Sequence, residues 1–177
     1  DSAWSKTTDI SLDYILDFTD KIRIFMSATG DYVCGYLKNK KSLEIVKYEL
    51  PISYNFIENL TLFNKDETIE FLLKECVDNN KKAIFFIQSA TKAYELYLQY
   101  KDYCLFNCSR ANKDYYKKVN QEEINDMLVN ERFEKLVLIT TTCMDAGTNI
   151  IDDDLKTIVC DVEDTGCLIQ SIGRKRR

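Results

Sequence analysis

Residues 81–96 read KKAIFFIQSATKAYEL. A lysine pair leads into five consecutive apolar residues, Ala83–Ile87, which stop abruptly at Gln88 and Ser89. An unbroken apolar run of this length fits a strand covered on both faces, as in a parallel sheet, better than a strand with one wet side. Beyond the polar turn the spacing changes: Ala93, Leu96, Tyr97 and Tyr100 recur along one stripe, which predicts a helix over 90–100. A strand that runs through a short polar turn into a helix is the repeating unit of an α/β protein.

The same alternation extends in both directions. Strand candidates are 22–26 (IRIFM), 43–50 (LEIVKYEL), 54–63 (YNFIENLTLF), 103–107 (YCLFN), 136–141 (LVLITT) and 157–160 (TIVC). Helical spacing appears over 66–79, with Ile69, Leu72, Leu73, Cys76 and Val77 on one stripe and Asp66 or Asn64 as cap. It appears again over 121–133, with Ile124, Met127 and Leu128 inward. The predicted fold class is α/β, a sandwich with a mainly parallel sheet. The single proline, Pro51, separates two strand candidates and suits a crossing point between lobes.

Composition narrows the function classes. In 177 residues, 45% are hydrophobic and 12% aromatic, as in a folded domain and unlike a disordered chain. No apolar run approaches the roughly 18 residues needed to span a bilayer, and DSAWSKTTD has none of the layout of a signal peptide. A cytoplasmic protein with no membrane partner is expected. Histidine is absent, which removes every His-based catalytic scheme and the commonest zinc ligand. The seven cysteines form no CxxC pair, so buried reduced thiols are expected and no metal site. A net charge of -5 argues against a stand-alone nucleic-acid binder, though not against one wall of a nucleic-acid groove.

No glycine is followed by lysine, so the chain lacks the GxxxxGK[ST] phosphate cradle, and it has no GxGxxG. Three of its five glycines follow or end strand candidates beside small polar residues, in SATG, DAGTNI and SIGR. In open α/β sheets, ligands bind at the carboxyl ends of strands, so these loops are candidate sites. The last of them lies in QSIGRKRR, residues 170–177, where three of the chain's six arginines gather. On a helix, Arg174 and Arg177 would share a face, and two guanidinium forks on one face suit a phosphate. The other reading of the same cations is a solvated basic end or a localisation signal, with Lys175 and Arg176 as ordinary surface charge.

Four segments, in order, resemble the motifs of superfamily 2 helicases and translocases, the DEAD/DEAH-like ATPases. Ser27-Ala28-Thr29 after IRIFM is similar to motif III, and 81–96 to motif IV. TTTCMDAGTNI, residues 140–150, resembles motif V, TxxxxxGxDI, with Thr141, Gly147, Asn149 and Ile150 in the motif's places. QSIGRKRR resembles motif VI, QxxGRxxR. The resemblance covers the chain from about residue 22 and is strongest over 136–177.

What the resemblance implies is specific. Residues 1–50 would be the tail of a first RecA-like lobe, and 52–177 a second lobe built as a RecA-like three-layer sandwich and truncated at its C-terminal end. The chain would then be a fragment of an ATP-dependent helicase or translocase. Its partners would be DNA or RNA and the missing first lobe, and ATP and Mg2+ would belong to the full-length protein, with the metal ligands outside this chain. Arg174 and Arg177 would be arginine fingers, while Gln170, Gly173, Gly147 and Asn149 would line the nucleotide site. Ser27, Ala28 and Thr29 would couple hydrolysis to lobe movement; Thr141, Gln88 and Ser89 would touch the nucleic-acid strand.

This sequence departs from the motifs at Asn149, neutral where the family has an acid, and at Ser171, where an arginine is often found. Simpler readings stand beside these roles: Ser27 and Thr29 as residues that close a strand and cap the next helix, Thr140, Thr141 and Thr142 as strand formers, Gly147 as a turn, and Ser89 without a functional role. Tyr115 and Tyr116, within NKDYYKK, form a cationic-aromatic patch suited to backbone contact. The rival class is a non-catalytic α/β interaction module whose basic end binds nucleic acid or an acidic partner.

Overall fold

The computed structural model describes residues 6–26, 30–51, 55–144 and 148–176, without the side chains of 6–9, 32 and 176. Two compact units divide it, Asp1–Lys47 and Tyr48–Arg177.

The larger unit is α/β, with a four-stranded parallel sheet flanked by helices. β1 (Ala83–Ile87) is the apolar run singled out above, and all five of its residues are buried. It lies between β3 (Val137–Thr140) and β5 (Thr157–Asp161), and β2 (Cys104–Asn107) pairs with the far side of β3, giving the order β2-β3-β1-β5. Ala83 stands opposite Val137 and Thr157, and Cys104 is also opposite Val137, so the strands begin nearly level. Parallel neighbours need crossovers, and these are helical: α4 (Ala90–Gln99) joins β1 to β2, and α5 (Lys113–Tyr116) and α6 (Gln121–Asn130) join β2 to β3.

The core forms where the helix stripes meet the sheet. α3 (Asp66–Asp78) contributes Ile69, Leu73 and Cys76, and α4 contributes Ala93 and Leu96, against Phe85, Phe86, Phe106 and Leu138. The cap of α3 is neither Asp66 nor Asn64 but Lys65, with no side-chain bond. α6 buries Ile124 and Met127 as expected, but Leu128 is 47% exposed. That helix ends at Asn130, three residues early, because Glu131 adopts the left-handed conformation (φ 51) and its carbonyl accepts from the Ile151 amide at 2.7 Å. Phe133 is thereby freed to enter the core.

Three strand candidates are not strands in the described residues: 22–26, 43–50 and the described part of 54–63. Many of their apolar side chains lie open, Ile22 at 94% and Tyr48 at 88% exposure, although Phe63 packs against the core. Strand-like composition makes a strand only where a ladder partner is at hand, and none is present beside them among the described residues. The smaller unit is instead helical, with α1 (Lys6–Leu16) and α2 (Asp31–Asn39), neither of which the apolar pattern had revealed. No helix among the described residues is long and apolar enough to cross a membrane.

All seven cysteines are unbridged. Burial pushes the thiols of Cys104 and Cys160 up to about 12 and that of Cys108 up to about 11. Cys76 is raised by the same cause. Cys143 departs from the expected burial: it is exposed. An alkylating reagent at pH 8 should therefore label Cys143 within minutes, and Cys76, Cys104 and Cys108 only after urea is added. Mass spectrometry of tryptic peptides checks the order, and early labelling of Cys104 would contradict this core.

Candidate functional site

Polar side chains gather at both ends of the sheet. At the carboxyl ends, β1 runs into Gln88 and Ser89. The Gln88 amide donates to the Asp161 carbonyl at 3.0 Å, and its side-chain Oε1 accepts from the Glu163 amide at 3.1 Å, which holds the exit of β5 beside that of β1. Ser89 is the N-cap of α4, accepting from the Lys92 amide at 3.3 Å. Lys92 Nζ lies 2.8 Å from both Asp161 and Asp66. Thr141 is buried; its amide donates to the Asn107 carbonyl at 3.2 Å and its hydroxyl accepts from the Ser109 amide at 3.3 Å. Gln88, Ser89 and Thr141 thus share one edge of the sheet, each engaged in closing a strand or starting a helix.

The glycine–arginine segment sits differently. SIGR ends a helix rather than a strand. α7 (Thr165–Ile172) starts at the Asp164 cap, whose carboxylate accepts from the Cys167 amide at 2.8 Å, and Gly173 closes it. Gly173 has φ -71, so no left-handed turn requires a glycine there. An added Cβ would lie 3.3 Å from the Ile169 carbonyl oxygen, which makes close approach the tighter constraint.

The chain leaves helical geometry after Gly173. Lys175–Arg176 forms β6, parallel to β4 (Ile150–Ile151), and the Ile150 amide donates to the Arg174 carbonyl at 2.8 Å. Pairing with β4 thus extends the backbone at Lys175–Arg176, where a continued helix would have been needed for Arg174 and Arg177 to share a face; Arg177 itself lies outside the described residues.

Arg174 is only 8% exposed. Its Nε donates to the Gln170 carbonyl at 2.9 Å, one terminal nitrogen to the Gln170 Oε1 at 3.0 Å, and the other to the Thr148 carbonyl at 2.9 Å. Gln170 and Arg174 stand one helical turn apart, and the guanidinium joins that turn to the loop that carries Asn149. Asn149 itself is exposed, its amide 3.5 Å from the Glu131 carboxylate. Ser171, in the same turn, is fully buried, and its hydroxyl has no hydrogen-bond partner among the described residues. Ser27, Ala28, Thr29, Gly147 and Arg177 lie outside the described residues.

A second cluster escaped sequence reasoning. The Asp152 side chain is 1% exposed, and its Oδ2 lies 2.7 Å from Lys82 Nζ, placed as an ion pair rather than as an aligned hydrogen bond. Arg132 Nε stands 3.7 Å from the same oxygen, and the Asp154 amide donates to Oδ1 at 3.0 Å. Lys82 also donates to the Phe133 carbonyl and sits 4.6 Å above the Phe133 ring. Lys175, expected to be surface charge, donates to the Asp152 carbonyl at 2.8 Å. The group ties the start of β1 to the β4–β6 ribbon. The lysine pair and the triple Asp152–Asp154 were visible signals, but nothing in the sequence says which aspartate turns inward.

No group of three or more His, Cys, Asp or Glu side chains among the described residues could hold a metal ion. Compared with protein-family models, with curated proteins and with solved structures, the chain matches none.

Burial works to raise the Asp152 carboxyl, but the close approach of Lys82, the Asp154 amide and the charges of Lys82 and Arg132 together hold it below its ordinary value. A carboxyl lowered in the fold contributes stability above its unfolded value of about 3.9, lost as pH falls through the folded value. Asp152→Asn, which leaves Lys82 buried beside a neutral group, should cost about 3–5 kcal/mol at pH 7. In urea titrations the gap between wild type and variant should narrow as pH drops below about 4. A gap that stays constant from pH 7 to pH 3 would remove Asp152 from this role.

Proposed function

We propose that this chain works within an ATP-dependent superfamily 2 helicase or translocase, with residues 52–177 acting as its second RecA-like lobe. What carries the reading is one contact: Arg174, in the segment resembling motif VI, is hydrogen-bonded to Gln170 of that segment and to Thr148 of the segment resembling motif V. The small parallel α/β sheet is compatible with such a lobe.

The residues at hand meet ATP only in part. With no GxxxxGK[ST] in the sequence, the triphosphate cradle and the Mg2+ ligands have to come from other polypeptide, the first RecA-like lobe. Arg174 would supply a permanent cation for charge developing on a transferring phosphoryl group. To reach it, the guanidinium would exchange neutral carbonyl acceptors for a charged one, and charge-assisted bonds are roughly twice as strong. Gln170 would keep the guanidinium oriented, and exposed Gln88 and Ser89 would lie along the nucleic-acid strand, DNA or RNA, with Thr141 buried behind them and bracing the Ser109 turn. The rival, a non-catalytic module with a basic end, finds less open charge there, because Arg174 and Lys175 are turned onto Gln170, Thr148 and Asp152.

Two outcomes follow. Residues 1–177 alone should turn over no ATP with Mg2+ present, as read by phosphate release; robust turnover by the purified chain would overturn the division of labour. In a longer protein carrying this sequence together with a phosphate loop, Arg174→Ala should lower turnover by about 10³-fold or more while ATP binding changes little. Wild-type turnover in a folded Arg174→Ala protein would sink the finger assignment.

A further inference from the structure

We propose that the segment between β2 and α6, residues 109–118, is a sequence-independent docking surface for the phosphate backbone of a nucleic-acid strand. The inference rests on the nucleic-acid reading of this chain and adds a surface that lies outside the motif-like segments. The segment SRANKDYYKK carries Arg110, Lys113, Lys117 and Lys118 against Asp114 alone, a net +3, whereas the remaining residues of the chain sum to -8. All four cations are exposed. Lys117 has a single loose ion pair with Asp114, 3.8 Å away on the surface, which is weak enough for a phosphate to replace.

The fold sets this charge beside the carboxyl ends of three strands. Ser109 is bonded to Thr141 at the end of β3, and the Tyr115 hydroxyl donates to Thr91 Oγ1 at 2.9 Å at the start of α4, just after Gln88 and Ser89. Two features therefore adjoin: the residues that motif likeness marks for strand contact, and a cationic run exceeded in the larger unit only by the C-terminal QSIGRKRR.

The aromatic half of the patch has other work. Tyr115 packs on Tyr94, ring centroids 5.6 Å apart, and both tyrosines are partly buried against the core. The Tyr116 hydroxyl accepts from Arg110 Nε at 3.1 Å and donates to Gln121 at 2.9 Å. Both rings are partly buried and their hydroxyls are engaged within the fold, so the proposed contact is assigned to cations meeting phosphates and carries no sequence information.

The test uses the 177-residue chain and fluorescent 20-nucleotide single strands of two unrelated sequences, titrated between 50 and 300 mM salt. Wild type should bind both sequences within about threefold of each other, with affinity falling as log[salt] by about 0.7 per phosphate contact. Lys113→Glu/Lys118→Glu should weaken binding by at least tenfold at 50 mM salt and flatten that slope. Lys74→Glu/Lys156→Glu, the same charge change on exposed lysines away from these loops, should stay within about threefold of wild type. Equal weakening by both pairs, or an unchanged Lys113→Glu/Lys118→Glu protein, would overturn this surface while leaving nucleic-acid binding itself intact. No binding by wild type would overturn it too, and ATP turnover would still judge the helicase reading separately. Binding to phosphatidylserine vesicles through the same two lysines, without binding to the oligonucleotides, would reassign the surface to a lipid headgroup.

Discussion

β1 is paired along both edges and buried along its whole length, and most of the larger unit follows from that constraint. A strand whose five residues all lie inside cannot present a wet face, so helices have to cover the sheet. Its neighbours β3 and β5 run parallel to it, so the chain has to cross over between strands, and the apolar stripes of α4 and α6 cover the sheet on the way from β1 through β2 to β3. Polar chemistry is then confined to the two ends of the sheet, where Lys82 precedes the strand and Gln88 follows it.

The two ends solve this problem with different chemistry. At the carboxyl ends the buried polar groups are neutral: Asn107 donates to Cys143 Sγ, and the Thr140 and Thr141 hydroxyls bond backbone groups, at modest cost. At the start of β1 a full charge is buried, and an isolated carboxylate at that depth would be very unfavourable. Lys82, with Arg132 farther out, makes it tenable. Such a pair adds little net stability over an apolar packing, but it discriminates strongly against any other partner for Asp152. We read its role as fixing where the β4–β6 ribbon attaches, and so where Arg174 emerges.

Residues 83–87, 104–107, 137–140 and 157–161 were legible as strands because each is apolar and has a neighbour to pair with. IRIFM and LEIVKYEL are also rich in β-formers, yet they stay unpaired in the described residues: composition reports what a segment can do, whereas pairing depends on what lies beside it. Leu128 shows a finer limit. It follows Met127 directly, and only one of two adjacent helical positions could point fully inward once Glu131 had ended the helix. At the candidate site, the link from Gln170 to Arg174 could be read from their spacing of one turn. The Thr148 carbonyl could not, because a backbone acceptor leaves no mark in the sequence. Nor could Lys175, whose target is also a carbonyl.

The internal bonds of Arg174 bear on the proposed mechanism in both directions. A guanidinium bonded to Gln170 on one side and Thr148 on the other is held in one orientation, which lowers the entropy lost when it meets a phosphate. The same bonds have to be partly given up before it can reach across a cleft, so the exchange is favourable only for an acceptor stronger than a neutral carbonyl. A phosphate oxygen qualifies, and water does not. An arginine held in this way would respond to a charged phosphate and ignore an empty cleft, a selectivity that a flexible arginine on a solvated basic tail would lack.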